Sequence, residues 1–400
     1  MTAKQKSSFV CYTIGGLNSF ATILYFNYLY FFMRDRFEFG DRRNLLLAAW
    51  LGLTYTFAAW QAGKFAHRFG YFNALKIGFG LMAAGLAVGS QLASASGQVL
   101  AATVTNIGMC CIWPTLEALV SESETPARVP RAVGIYNIVW AVTNAAAFFI
   151  GGTLVEKFGF KSIFYLPLAM MLVQLALTFW LQNHADETAC AAAGEPTAVL
   201  PTDPNRPSPA RAKSFLRMAW LANPFAYIAI NTLIAVTPGL AAKFHVSPMF
   251  AGFVWSLWCF ARLGAFVVLW RWTDWHYRFR WLAASFAILI LSFTTILLSP
   301  NLPVLIVAQI FFGGAIGLIY YSSLYYSMDG GPAKSEHGGI HEAAIGLGNF
   351  VGPAIGAAAL WLAPESANAG AWAVSGLLAL GLGGLLRLRQ NGSAGTGGKS

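Results

Sequence analysis

Apolar runs of about twenty residues, separated by short polar stretches, recur twelve times along the chain. They cover roughly 9–33, 44–65, 73–93, 98–120, 132–154, 162–182, 214–236, 248–270, 281–299, 303–327, 339–361 and 369–386. Each is long enough to cross the hydrocarbon of a bilayer as an α-helix. Barrel strands are excluded, because they need only about ten residues, and lipid leaves helices as the other way to satisfy every backbone N–H and C=O. The pattern predicts an all-α membrane protein with twelve transmembrane helices.

Composition supports that class. The chain is 57% hydrophobic and 10% charged, whereas soluble domains carry about 25% charged residues. Its 14 Trp suit the membrane interface and its 40 Gly suit close helix contacts. The first run, Phe9 to Met33, is too long for a signal core and has no A-x-A-like site, so no removable leader is expected. The cysteines, at 11, 110, 111, 190 and 259, are odd in number and four lie in spans, which argues against a disulfide framework.

A net charge of +10 suggests a nucleic-acid partner until the charges are placed. With an even number of spans and the N-terminus inside, 18 of the 26 Lys and Arg fall in cytoplasmic segments, seven fall outside and Arg262 lies within a span. That is the positive-inside bias. It predicts an integral multi-pass protein of the cell membrane with both termini cytoplasmic, and no nucleic-acid partner. The stretch RDRFEFGDRR (34–43) runs against the rule, with four Arg among Asp35, Glu38 and Asp41.

Residues 183–213 are rich in Ala, Pro, Asp and Thr and have no apolar period, which predicts a flexible cytoplasmic linker. It divides an N-terminal six-helix bundle (1–182) from a C-terminal one (214–389), and 390–400 reads as a disordered tail. Placing 134–152 over 339–357, at a constant offset of 205, matches Gly134 with Gly339, Ile135 with Ile340, Asn144 with Asn349, Ile150 with Ile355 and Gly151 with Gly356. These are the fifth span of each half, so the halves look like two six-helix pseudo-repeats.

Six plus six helices, cytoplasmic ends and a long central loop resemble the major facilitator superfamily, whose members are solute transporters. The stretch GKFAHRFGYFNAL (63–75) is similar to the family pattern G-x-L-A-D-R-x-G-R-R-x-x-L at Gly63, Ala66, Arg68, Gly70 and Leu75. His67 replaces the usual Asp, and Tyr71 and Phe72 replace the basic pair. In the family that Asp caps a helix of the opposite half and helps hold the outward-facing state closed; neutral His67 cannot do so by charge. Arg68 and His67 are therefore gating candidates by resemblance. The corresponding stretch of the second half, RWTDWHYRFRW (271–281), keeps only basic and aromatic character.

Ionisable groups inside spans cost about 2.5–3.5 kcal/mol each at mid-bilayer, so each needs an explanation. Arg262 is too deep for a lipid-facing side chain to snorkel, and should face protein or a water-filled cavity, in a structural ion pair or in a role in gating or in binding an anionic group. Glu342 begins a helical stripe with Gly346, Asn349, Pro353 and Gly356, matched in the first half by Asn137, Ala141, Asn144, Phe148 and Gly151. It is a coupling candidate, a partner for Arg262, or a first-turn carboxylate favoured by the helix dipole after Gly338-Gly339. Glu117 ends a similar stripe from Asn106, and His341 is a pH-responsive neighbour of Glu342. The sequence HEAAI ends in Ile345, so the H-E-x-x-H zinc pattern fails.

In the resembled fold the first and fourth helices of each half line the central cavity. That makes Asn18, Thr22 and Tyr25, Asn231, and Tyr321 candidate substrate contacts. Asn137 and Trp140 flank the polar stripe, and Asn144 and Asn349 lie on it. Tyr325 and Tyr326 read as an interfacial belt. No phosphate loop and no G-x-S-x-G occurs, so neither ATP-driven transport nor hydrolysis has support, and no enzyme activity, cofactor or metal is expected. The expectation is a secondary active transporter that moves a small neutral or amphipathic organic solute by alternating access, with protons as the candidate coupling ion. The alternative is a non-transporting receptor or assembly scaffold with the same fold.

Overall fold

The computed structural model describes residues 3–122, 129–184, 208–329 and 334–394. Among them lie twelve α-helices: α1 (Ala3–Phe37), α2 (Asp41–Phe69), α3 (Tyr71–Gly89), α4 (Ala95–Glu122), α5 (Val129–Phe158), α6 (Ser162–Asn183), α7 (Pro209–Lys243), α8 (Pro248–Arg271), α9 (Phe279–Leu298), α10 (Leu302–Asp329), α11 (Lys334–Leu362) and α12 (Ala369–Ala394). Each contains a stretch long and apolar enough to cross a membrane, and each overlaps one run read from the sequence. No strand occurs among the described residues. The chain is an integral, multi-pass, all-α membrane protein.

Helix ends differ from the apolar pattern for local reasons. The α3 helix stops at Gly89, where the Gln98 amide donates to the carbonyls of Gly89 and Leu92, at 2.7 Å each, and satisfies acceptors that the ending helix leaves open. Helix α7 starts at Pro209, inside the segment expected to be linker, and α12 runs to Ala394, inside the expected tail. The Arg-rich stretch that ends α1 and begins α2 carries an internal answer to its charge, an Arg34–Asp41 ion pair at 3.0 Å.

Two compact units divide the chain. One comprises Met1–Met33, Thr54–Thr202 and Ser247–Phe253; the other comprises Arg34–Leu53, Asp203–Val246 and Val254–Ser400. In the first, α3 and α4 touch backbone to backbone: a Cβ on Gly108 would sit 2.7 Å from the Gly78 carbonyl, and one on Gly78 would sit 2.8 Å from the Gly108 carbonyl. Helix α1 lies on α5, where the Ser19 hydroxyl donates to the Trp140 carbonyl (3.0 Å) and the Tyr28 hydroxyl to the Phe148 carbonyl (2.7 Å). The opening turn of α8 also belongs to this unit, and its Met249 N–H donates to the Glu156 carboxylate at 3.1 Å. In the second unit α7 packs against α9, α10, α11 and α12, and the Asp41 end of α2 joins it. There Asp41 lies at Gly239 of α7, Leu45 at Gly356 and Gly52 on the backbone of Asn349 and Phe350.

The join between α2 and α3 explains one residue of the 63–75 stretch physically. Gly70 closes α2 by donating to the Ala66 carbonyl (2.9 Å) and opens α3 by accepting from the Ala74 N–H (3.1 Å). It does so at φ 89 and ψ 149, a region nearly closed to residues with a Cβ. Basic side chains near this join rest on rings: the Lys64 ammonium is 3.6 Å from the Trp60 ring centroid and that of Lys76 is 4.5 Å from Phe179 on α6. In the second unit Arg280 lies over Trp281 and Arg389 of α12 over Phe279.

Nothing lies within 4 Å of a Cβ on either Gly70 or Gly63, so conformation alone separates them. Gly70→Ala should cost about 1–3 kcal/mol and lower the melting temperature in detergent, while helical Gly63→Ala should leave it unchanged or slightly raised; equal behaviour of the two variants would refute the backbone argument.

Candidate functional site

The polar face of α11 is positioned by glycines. A Cβ on Gly348 would lie 2.5 Å from the Pro224 carbonyl, and one on Gly352 would lie 2.6 Å from both the Ile228 carbonyl and the Thr232 hydroxyl. Helices α7 and α11 thus approach as closely as small residues allow. At that separation the Asn231 amide reaches Asn349: its Nδ2 donates to Asn349 Oδ1 at 2.5 Å and also contacts the Tyr227 carbonyl at 3.2 Å. Both side chains are half-buried. Asn231 Oδ1 and Asn349 Nδ2 have no further partner among the described residues, so this face presents one acceptor beside one N–H₂ donor.

Glu342 sits on the same helix and is 5% exposed. Helix α11 begins at Lys334, eight residues earlier, which corrects the first-turn reading: Gly338 and Gly339 lie within the helix and do not start it. The side chains of His341 and His337 lie outside the described residues.

Arg262 is 3% exposed, so it faces protein, and its guanidinium lies 4.9 Å from the Trp258 ring centroid. Its helix, α8, is held against α10 at Gly313, whose Cβ position meets the Trp258 carbonyl, and at Gly317, which meets Ala265. Tyr321 of α10 is half-buried between the rings of Phe266 and Trp275, each 5.8 Å away. The interfacial-belt reading of Tyr325 and Tyr326 is corrected by the residues between α8 and α9. Trp275 is enclosed against both tyrosines and donates to the Leu269 carbonyl at 3.2 Å, while the Tyr326 oxygen accepts from the Tyr277 N–H at 3.0 Å. Arg211 of α7 completes the knot by donating to the Tyr277 carbonyl at 3.0 Å.

In the first unit the α1 candidates point into the protein. Asn18 is fully enclosed, the Thr22 hydroxyl is spent on the Asn18 carbonyl at 2.7 Å, and Tyr25 packs edge-on against Phe164 of α6 at 5.6 Å. Asn137 and Asn144 are buried, as is the whole stripe from Asn137 to Gly151, and Trp140 is half-buried with its carbonyl bound by Ser19. Glu117 is half-buried near the end of α4. His67 and Arg68 are exposed at the end of α2, with Arg68 lying 5.3 Å from the Phe69 ring. The structure therefore joins Asn231 to Asn349 and leaves His67 and Arg68 at the surface. Sequence reasoning passed over Asn223, a buried amide on α7. Its signal was available, because 223 is Asn18 shifted by the same 205 residues.

The sequence model of the Major Facilitator Superfamily matches residues 8–357, and the chain belongs to that superfamily of transporters. A Tetracenomycin C resistance and export protein from Streptomyces glaucescens is 30% identical over 118 residues, 28% of this chain; the match spans only 21% of that relative's length. Among solved structures, the human organic anion transporter MFSD10 (TETRAN) superposes with a TM-score of 0.67 at 15% identity, over 96% of this chain and all of that one. The peptide transporter POT, in complex with alafosfalin, superposes with a TM-score of 0.73 at 14% identity, over 97% of this chain and 95% of that one. At such identities the likeness is one of fold.

Gly352→Leu should force α7 and α11 apart, cost about 1–3 kcal/mol through overpacking and lower the melting temperature. Gly314→Ala is the control, since its Cβ would meet nothing within 4 Å. Equal melting of the two variants would show that the α7–α11 approach is not tight.

Proposed function

We propose that the protein is a secondary active transporter built as two six-helix halves, with both termini cytoplasmic in the cell membrane, moving a small neutral or amphipathic organic solute by alternating access. The observation that carries the reading is the Asn231–Asn349 pair on the α7–α11 face, in a chain whose superfamily match covers residues 8–357. An acceptor beside a donor, with no fixed charge between them, suits a solute carrying hydroxyl or amide groups better than an ion. The export function of the Streptomyces relative supports an organic solute. The absence of a phosphate-binding loop in the sequence favours gradient-driven over ATP-driven transport.

Glu342 is proposed as the proton-coupling group, on the ground that a carboxyl enclosed on the same helix as Asn349 changes the charge of that helix when it binds a proton. Arg262, likewise enclosed, is the proposed gating cation.

Solutes identified by thermal-shift screening of purified protein should be taken up or expelled by proteoliposomes under an imposed pH gradient. Asn349→Leu should weaken transport about tenfold or more, the worth of one lost hydrogen bond to a neutral group. Glu342→Gln should retain solute binding but lose the pH dependence of transport; a pH profile identical to that of the unaltered protein removes Glu342 from coupling.

A further inference from the structure

Helices α9 and α12 run antiparallel along one seam of the second unit. The Thr294 and Ser375 hydroxyls hydrogen-bond across it at 2.7 Å, and the Arg389 guanidinium lies 5.7 Å from the Phe279 ring centroid. Phe279 lies 15 residues before Thr294 and Arg389 lies 14 after Ser375. At 1.5 Å per residue these are about 22 Å and 21 Å along their helices. The two contacts therefore sit near opposite ends of a single straight seam.

The Arg389 end of this seam gathers positive charge. Arg280, next to Phe279, is exposed and lies 5.3 Å from the Trp281 ring, which Trp272 holds edge-on at 4.7 Å. Arg389 is exposed as well. A guanidinium over a ring presents its N–H donors in its own plane rather than to the ring, the fork that suits a phosphate. Neither α9 nor α12 contains an Asp or Glu. The acid nearest in sequence, Asp274, lies 4.0 Å from Arg278 and answers that cation, and Arg280 has no carboxylate partner among the described residues. At the other end of the seam the charge is reversed. Residues 299–301 and 363–368 hold one acid, Glu365, and no Lys or Arg, while the Lys243 ammonium is spent on the Ser299 carbonyl at 2.8 Å.

Apolar surface continues directly from the arginines. Arg280, Ala284, Ile288 and Leu291 share one face of α9, and all four are exposed, Leu291 at 68%. In a membrane protein that face meets acyl chains, so a cation ends a lipid-facing stripe where a headgroup sits. A free phosphate would answer the arginines alone, whereas a phospholipid answers the arginines and the stripe together. A zwitterionic headgroup would bring an ammonium to a place whose one carboxylate is already engaged. A headgroup of net negative charge meets no such mismatch.

We propose that the Arg280–Arg389 end of the α9–α12 seam binds an anionic phospholipid, with its phosphate on the two guanidiniums and an acyl chain along Ala284, Ile288 and Leu291. The leaflet is the one on the side where α12 ends, which is cytoplasmic in the orientation proposed above. The site involves none of Asn231, Asn349 and Glu342, so it stands or falls apart from the reading of the solute.

Native mass spectrometry of the detergent-purified protein, given equal amounts of dioleoyl phosphatidylglycerol and dioleoyl phosphatidylcholine, reads the site directly. The phosphatidylglycerol adduct should exceed the other about fivefold or more. Equal adducts overturn the proposal, and do so without any variant. Excess glycerol 3-phosphate should leave the adduct in place, because no acyl chain holds it; displacement would assign the arginines to a free anion and overturn the lipid. Arg280→Gln/Arg389→Gln should lose about tenfold or more of the adduct, as expected for lost charged hydrogen bonds. Arg217→Gln/Arg387→Gln removes the same charge from exposed arginines off the seam, Arg387 lying about 200° around α12 from Arg389. Because salt screens such distant charges, this pair should change the adduct by less than about twofold. Equal losses in the two double variants would show a diffuse field of charge and overturn the site.

Discussion

Lipid supplies no hydrophobic force to press one apolar helix against another, so the packing of this protein rests on how closely backbones can approach. Glycine sets that distance. The contact of α3 with α4 runs through Gly78 and Gly108, that of α7 with α11 through Gly348 and Gly352, and that of α8 with α10 through Gly313 and Gly317. Dispersion between backbone atoms in contact replaces the force that water would supply elsewhere. The same closeness brings side-chain amides on neighbouring helices within reach of each other, so the polar chemistry of α7 and α11 is a consequence of their glycines.

Within this frame most hydroxyls in the spans are neutral in effect. Thr22, Thr105, Thr115 and Thr237 each donate to the carbonyl four residues earlier, at 2.7–2.9 Å, which hides the polar group inside its own helix. A few hydroxyls instead join helices, as Ser19 and Tyr28 do between α1 and α5. Asparagine cannot hide so fully, because its amide carries two donor hydrogens and an acceptor. The amides of Asn18, Asn223, Asn231 and Asn349 therefore stand out against a largely self-satisfied background.

The twelve helices and the family were legible in the sequence because span length is dictated by bilayer thickness and survives any detail of packing. Helix ends were less so. Gly338 and Gly339 look like breakers, yet α11 passes through them, which places Glu342 two turns deeper in the helix than its neighbours suggest. Asn231 and Asn349 were both recognisable as polar residues that lipid would not tolerate, but their mutual bond depends on a contact between helices 118 residues apart. Tyr325 and Tyr326 show the opposite failure: a run of tyrosines at a helix end carries the composition of an interfacial belt, and only the fold of residues 272–278 over them encloses Trp275. The Asn18–Asn223 correspondence was within reach, and extending the 205-residue offset from the fifth helix to the first would have found it.

The cations that rest on rings at the α2–α3 join, at the start of α9 and at the end of α12 have a consequence for the host membrane. An ammonium or guanidinium over an aromatic face belongs at the level of the headgroups, where the ring is half in lipid and the charge half in water. With Lys64 on Trp60 and Lys76 on Phe179 the attachment is short-range and joins side chains already fixed to their helices. Vertical sliding would drag both charge and ring out of the zone that suits them. In a thinner or thicker bilayer, then, these helices hold their depth at that end and take up the mismatch by tilting.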